Sequence, residues 1–370
     1  MKEQLEVRGA PQLYVCDVNV LDSLEGRLLN SGITSCLIVR GNASWKAITP
    51  YFPSFSHVLC QFEVYGGECT LEEVNRLSRK VRKGAFQAVI GVGGGKILDL
   101  VKAIGNETHT STVLIPTLAS TCAAWTPLSV IYDETGVFTH YTVFPSSTNL
   151  VLLEPRVILA SPIRLLKAGI ADTLAKWYEA NVLIEKLSDP SISILLAHHA
   201  AKLCRDVLLT LGQEAITSME AKTVTPAFIK VIETIIAVGG MVGGYGDRFG
   251  RIAGAHAIHN GLTKVNETHS FLHGEKVAYG ILAQLAIEKK WDEIVFLLPY
   301  YKQFGFPSSL ADFGISIEDK KVIDTIAKTA VLPHESIHLM GTITSETVSA
   351  AMQELEKLVA QQTKEGIHAK

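Results

Sequence analysis

Short apolar runs alternate with helical segments along the first part of the chain, and the period of the pattern then lengthens. Ser35-Cys-Leu-Ile-Val39, His57-Val-Leu-Cys-Gln-Phe-Glu-Val64, Phe86-Gln-Ala-Val-Ile-Gly-Val92 and Thr112-Val-Leu-Ile-Pro116 have strand length. Thr70-Leu-Glu-Glu73 has the capping-box spacing, Thr with Glu three residues on, and opens a predicted helix to about Arg82. Ile97-Leu-Asp-Leu-Val-Lys-Ala103 is helical in character. Strand–helix alternation with short connections predicts a parallel sheet covered on both faces. Leu128-Ser-Val-Ile-Tyr132 and Val137-Phe-Thr-His-Tyr141 flank Asp133-Glu-Thr-Gly136, which predicts a hairpin. After Ser161-Pro162 the strand signals stop. Apolar-periodic stretches over 164–185, 191–211, 226–245, 275–290, 319–329 and 345–362 predict an all-helical part. The expected division is an α/β domain over 1–160 and an all-α domain over 161–370.

Composition narrows the class. With 370 residues the chain is long enough for two domains, and 47% hydrophobic against 19% charged residues describes a packed globular protein. A net charge of −3, with both signs dispersed, argues against a nucleic-acid partner, which calls for a basic patch or stripe. The cysteines at 16, 36, 60, 69, 122 and 204 form no CxxC pair and read as reduced thiols of a cytoplasmic protein. Met1-Lys-Glu-Gln-Leu-Glu is not a secretory signal. The uncharged run Ser111 to Tyr132 has the length of a membrane span. Pro116, Pro127 and its many hydroxyls make it a buried strand and a binding loop instead.

Gly91-Val-Gly93-Gly94-Gly95-Lys96 joins a strand to a helix. Backbone N–H groups can approach an oxyanion closely there, and a helix N-terminus favours negative charge. Glycines needed only for a tight turn account for the string equally well. The turn is neither a GxGxxG fingerprint with an acid about twenty residues on nor a Walker A loop. Asp99, placed in the first turn of that helix, suits a cofactor site or simply the helix dipole. Ile115-Pro-Thr117-Leu-Ala-Ser120-Thr121-Cys122 follows the next strand, where open α/β sheets bind ligands.

Three further segments carry metal-binding side chains. Asp172 sits among small and apolar residues, where an unpaired carboxylate is costly. His256 lies in Ala-Gly-Ala-His-Ala-Ile-His-Asn-Gly, and His273 precedes Gly274 at a predicted helix start. Two imidazoles, one carboxylate and a free position make a catalytic rather than a structural zinc site. His259 falls on nearly the same face as His256 and suits orientation or proton relay. The glycine cluster Gly239-Gly-Met-Val-Gly-Gly-Tyr-Gly246 reads as close helix packing.

Taken in order, Gly93-Gly-Gly-Lys96 with Asp99, Pro116-Thr-Leu-Ala-Ser-Thr121, Leu128-Ser-Val-Ile-Tyr132, Gly169-Ile-Ala-Asp172, His256-Ala-Ile-His-Asn-Gly261 and His273-Gly-Glu-Lys276 resemble the iron-containing (group III) alcohol dehydrogenase superfamily, in its glycerol dehydrogenase branch. Cys122-Ala-Ala-Trp-Thr-Pro-Leu-Ser-Val130 and Asp172-Thr-Leu-Ala-Lys-Trp-Tyr-Glu179 look most like the hydroxycarboxylate dehydrogenase A type. The resemblance implies a dehydroquinate synthase-like fold, with a nucleotide-binding α/β domain, a helical metal-binding domain and the active site between them. It implies Asp172, His256 and His273 as metal ligands. It places Gly95, Lys96, Thr117, Ser120, Thr126, Leu128 and Tyr132 around NAD or NADP, to which the reading of the glycine turn adds Gly93, Gly94 and Asp99. Iron-dependent relatives carry a further His four residues after the ligand Asp. Lys176 stands there, so zinc is expected, with iron the alternative.

Two departures bear on specificity. The polyol-binding Asp of glycerol dehydrogenases is replaced by Cys122, which leaves room for a substrate carboxylate. The acid expected to bind the adenosine ribose is replaced by Arg40-Gly41-Asn42, the kind of change that admits a 2′-phosphate. The expected activity is metal-dependent, NAD(P)-linked interconversion of an alcohol and its carbonyl, with small 2-oxo acids reduced. Glycerol dehydrogenase is the alternative, and a 3-dehydroquinate synthase-like lyase the third reading. A nucleotide-binding regulatory or structural protein would leave the metal triad unexplained. The expected partners are a small-molecule substrate and further copies of the chain in a homo-oligomer, with no membrane and no nucleic acid.

Overall fold

The computed structural model describes residues 5–368. The predicted strands form with shifted ends. They are β2 (Ser35–Arg40), β3 (Leu59–Val64), β4 (Ala88–Gly93) and β5 (Ser111–Pro116), bounded by β1 (Leu13–Cys16) and β8 (Leu150–Leu153). The sheet order is β1-β8-β5-β4-β2-β3, and every pairing is parallel. β1 and β8 escape a sequence reading because four-residue runs are too short to show a period.

The inner strands β2, β4, β5 and β8 are buried on both faces, as their apolar sequences require. Cys36, Ile38, Ala88, Ile90, Val92, Val113, Ile115, Leu150 and Leu152 join Leu21, Leu24, Leu28 and Ile48 in one core. The alternate residues face the other way, where a side chain added at Gly91 would meet Val101 of the helix Gly95–Thr108 and Leu114. β6 (Leu128–Tyr132) and β7 (Phe138–Val143) make the predicted hairpin as a separate antiparallel pair. The Asp133 carboxylate closes its loop by accepting from the Thr135 and Val137 amides, both at 2.9 Å. The run from Ser111 to Tyr132 is thus a strand, a loop and a second strand.

Thr70 caps the helix Leu71–Gly84 by accepting from the Glu73 amide at 3.1 Å. The reciprocal half of the capping box is not made. Glu73 accepts from the Gly66 amide at 2.9 Å and pairs with Arg76, which offers it a charged partner.

The chain forms two compact units. The first runs to Leu166 and includes Glu214–Gly244; the second holds Lys167–Gln213 and the chain from Tyr245. The glycine cluster serves close packing, and Gly239–Gly244 does so within the first unit. A Cβ at Gly240 would come within 2.5 Å of Trp125, and one at Gly244 within 2.6 Å of the Arg8 carbonyl. The preceding turn, Thr234–Val238, is π-helical. The stretch Pro226–Phe249 is long and apolar enough to cross a membrane, and most of it is buried within the fold. In the second unit the helices Gly254–Leu262 and Trp291–Phe304 appear beyond those predicted. The first is rich in small residues and the second contains Pro299, so neither shows a clean helical pattern.

Candidate active site

Three helices of the second unit each deliver one metal-binding side chain. Asp172 lies in Ile163–Ile184, His256 in the first turn of Gly254–Leu262, and His273 opens His273–Ile287. Their ligand atoms all lie within 4.8 Å of one another, the arrangement sequence spacing alone could not show. His273 Nε2 is 3.0 Å and His256 Nε2 3.3 Å from the same oxygen, Asp172 Oδ1. Missing side chains permit the approach. A Cβ at Gly274 would collide with the Ala168 carbonyl, and one at Gly280 with that of Ala255. The Asp172 and His256 side chains are 6% and 11% exposed, whereas that of His273 is 44% exposed, so the cluster opens on the His273 side.

Glu179, unassigned in the sequence reading, is tied to His256. It stands two turns after Asp172 on the same helix and therefore on the same face. Its Oε2 is 2.7 Å from His256 Nδ1. Its Oε1 accepts from the amides of Ala253 at 2.7 Å and His256 at 2.9 Å. A carboxylate at Nδ1 fixes a proton there, so Nε2, the nitrogen facing Asp172, is the one that would give up its proton to a metal ion. The signal available beforehand was a second acid seven positions after Asp172 in an apolar helix.

The electrostatics favour a cation. Burial alone would raise both buried acids. Hydrogen bonds from His256 and His273 instead hold Asp172 well below its ordinary value, and the charge of His256 holds Glu179 down. Against its own burial, His256 is pushed up to about 9 by Glu179 and Asp172. Two buried carboxylates facing one imidazole call for positive charge, which a divalent ion supplies as well as a proton. The donor set fits such an ion.

On the open side, His273 Nδ1 is 2.9 Å from His259 Nε2. His259 Nδ1 is 3.0 Å from Asn260 Oδ1, and the Asn260 amide donates to Glu335 at 2.9 Å. One set of tautomers satisfies the whole chain: His273 donates to His259, His259 to Asn260, and Asn260 to Glu335. Burial, with the neighbouring His273, His256 and Lys276 side chains, keeps His259 well below its ordinary value, hence neutral and able to accept. Lys176, four residues after Asp172, is buried and donates to the Arg251 carbonyl at 3.1 Å.

The glycine turn belongs to the first unit. Gly93 ends β4, Gly94 caps the helix Gly95–Thr108, and Lys96 is exposed in its first turn. The first N–H groups of that helix have no intrahelical acceptors. A Cβ at Gly94 would press on Leu118, and one at Gly95 would reach Thr121 Oγ1 at 3.5 Å, so the turn faces the loop after β5. Thr117 donates its amide to the Gly93 carbonyl at 3.0 Å. Ser120 is half-buried in that loop. The Cys122 carbonyl, in the same loop, accepts from the amides of Trp125 at 2.9 Å and Thr126 at 3.3 Å. Lys96 pairs with Glu68 and lies 5.6 Å from the centre of the Tyr132 ring.

Asp99 falls beyond the first turn and is buried. Its carboxylate pairs with Lys102 at 2.8 Å and accepts from the Val130 amide at 3.0 Å. Lys102, also buried, donates to the carbonyls of Ala123 at 2.7 Å, Thr126 at 2.9 Å, and Leu128. The Asp99–Lys102 pair therefore shapes the loop that carries Thr126 and Leu128. Lys102 and Glu68 were not singled out in the sequence, since a charged residue in an amphipathic pattern ordinarily faces water.

Arg40 ends β2 opposite Val92, and Gly41 abuts Ile97 of the glycine-turn helix. The Arg40 guanidinium carbon is 5.2 Å from the centre of the Trp45 ring, and its buried Nε has no hydrogen-bond partner.

The iron-containing alcohol dehydrogenase family model matches residues 11–155. Hydroxycarboxylate dehydrogenase A of Escherichia coli (strain K12) is 42% identical over 321 residues, covering 86% of this chain and 87% of that protein. Glycerol dehydrogenase of Citrobacter freundii is 38% identical over 300 residues, covering 80% and 81%. Glycerol dehydrogenase from Schizosaccharomyces pombe superposes with a TM-score of 0.85 at 26% identity, covering 98% of this chain and 93% of that structure. The chain thus belongs to the iron-containing alcohol dehydrogenase family, among its glycerol and hydroxycarboxylate dehydrogenases, and is an oxidoreductase acting on CH–OH donors.

Proposed function

We propose that the protein is a metal-dependent, NAD(P)-linked hydroxycarboxylate dehydrogenase that reduces small 2-oxo acids. The observation that carries the reading is the convergence of Asp172, His256 and His273 from three helices, with Glu179 fixing the His256 tautomer. In this reading these three hold one divalent ion, zinc by the absence of a fourth imidazole at Lys176, with iron the alternative. The ion supplies Lewis-acid polarisation of the substrate oxygen, and the nicotinamide supplies the hydride. Glu179 holds the Nδ1 proton of His256 and His259 that of His273, so both imidazoles would turn Nε2 to the ion without reorienting. His259, Asn260 and Glu335 form a hydrogen-bonded chain that holds the His273 ring in its orientation.

The division of labour follows the chain: a dinucleotide-binding part over 1–160 and a metal-binding part over 161–370. In the first, Gly93, Gly94, Gly95 and Lys96 take the phosphates, and Thr117, Ser120, Thr126, Leu128 and Tyr132 line the site. Asp99 acts on it through Lys102. The unpartnered Nε of Arg40 beside the glycine turn supports acceptance of a 2′-phosphate. Scattered thiols support a cytoplasmic location, and a homo-oligomer is the proposed assembly.

Cys122 decides between this reading and a glycerol dehydrogenase, which the relatives of that name also favour. A neutral side chain there spares a substrate carboxylate the repulsion of an Asp. In a panel of 2-oxobutyrate, 2-oxoglutarate, glycerol and 1,2-propanediol, the wild type should show its highest kcat/KM on an oxo acid. Cys122→Asp should move the preference towards the polyols. A wild type that clearly prefers glycerol assigns the glycerol dehydrogenase activity instead.

A further inference from the structure

Cys36 and Cys60 are direct partners in the register of β2 and β3, with their Sγ atoms 3.3 Å apart. Both side chains leave the same face of the sheet. Cys36 is fully buried in the core, whereas Cys60, on the outermost strand, is only partly covered. Adjacent strands run about 4.8 Å apart, inside the Cα separation that a disulfide spans. No other pair among the described cysteines has a sulfur–sulfur contact of this kind.

We propose that Cys36 and Cys60 form a reversible redox modification site, cross-linked by exchange with a small-molecule disulfide of the glutathione type. The Cys60 thiolate attacks one sulfur of the glutathione disulfide. A Cys60–glutathione mixed disulfide forms, and one glutathione thiolate leaves. Cys36 passes its proton to that thiolate and attacks Cys60 Sγ, releasing the second glutathione. The two protein thiols are oxidised by two electrons, and one glutathione disulfide becomes two thiols.

The pair is arranged for this order. The hydrogen bond between the two sulfurs lowers Cys60; the same bond, together with burial, raises Cys36. The accessible member is therefore the readier thiolate and the buried member resolves the mixed disulfide, the ordering found in redox-sensing pairs.

The cross-link has a path to the proposed cofactor site. Phe62, two residues after Cys60 and on the same face, stacks edge-on against Trp45 at 5.0 Å, and Trp45 holds the Arg40 guanidinium. Bringing the two sulfurs to bonding distance turns the Cys60 side chain on the face it shares with Phe62, which shifts Phe62, hence Trp45 and Arg40. Oxidation should raise KM for the dinucleotide several-fold with a smaller change in kcat.

The test treats the intact enzyme with oxidised glutathione and maps peptides without reduction. The expected product is a peptide pair joined through Cys36 and Cys60, two free thiols fewer, and recovery of thiols and KM with dithiothreitol. Cys60→Ser and Cys36→Ala should each lose both the joined peptide and the KM response. Cys36→Ala should retain a mixed disulfide on Cys60. A wild type that stops at the mixed disulfide, or whose Cys60 alkylates readily while no joined peptide appears, overturns the proposal. So does a cross-link formed with no change in KM, as regards the path to Arg40.

Discussion

Single residues set the chemistry of both halves. Glu179 makes three contacts around His256, and replacing it tests whether they matter. In Glu179→Gln the amide turns an N–H towards the ring nitrogen that carries the proton, so the tautomer is no longer enforced. Metal content and kcat/KM should fall by roughly 10- to 100-fold, the range for partners of metal-bound histidines, while Tm changes little. Unchanged zinc occupancy by elemental analysis would remove Glu179 from that role. Arg40→Asp should turn a preference for NADPH into one for NADH, read as the ratio of kcat/KM for the two cofactors. An NADH-preferring wild type unaffected by the change would count against the 2′-phosphate reading. At this scale the sequence was informative where chemistry is rare. Asp, His and Gly in apolar surroundings announce themselves through the cost of putting them there. Glu179, Lys102 and Glu335 stayed hidden because their partners lie 77, 24 and 75 residues away in the chain.

Whole elements carry a second kind of information. The helix Ser345–His368 presents Glu356, which accepts from the Leu310 amide at 2.9 Å and from the Tyr279 hydroxyl at 3.1 Å. Burial outweighs these bonds and pushes its carboxyl from 4.5 up to about 7. Between those two values the folded chain keeps a proton that the unfolded chain releases. Stability from this group is therefore full below about pH 4.5, falls as pH rises towards 7, and is absent above. Glu356→Gln should flatten that part of the Tm-against-pH curve and give its gain at pH 8. An identical slope in the variant would place the titration elsewhere. β2, β4 and β5 could be read from sequence because a strand buried on both faces is a continuous apolar run, and β3, on the exposed edge, from its β-branched and aromatic residues. β1 and β8 were too short for that signal, and Gly254–Leu262 too rich in small residues. Glycines of the helix His273–Ile287, Gly274 and Gly280, let it close on its neighbours.

For the whole molecule, the proposed ion joins three helices of a unit with its own extensive core, so it is not the staple that keeps the chain folded. EDTA treatment should abolish turnover and Zn²⁺ should restore it, with far-ultraviolet circular dichroism unchanged. Unfolding on chelation would mean that the metal is structural. The first unit raises a different matter, because its pieces are not contiguous. Glu214–Gly244 reaches it through Glu233, which accepts from the Tyr14 hydroxyl at 3.0 Å, and through Gly244, whose carbonyl accepts from the Arg8 amide at 3.0 Å. On a ribosome, the sheet is finished well before these partners are made. Tyr14, Trp125 and the segment around Arg8 must then wait, uncovered, while the intervening helices are translated. The nascent protein therefore passes through a stage in which its oldest part is its least protected. Chaperone contacts and premature cleavage should concentrate there until residue 244 has left the exit tunnel.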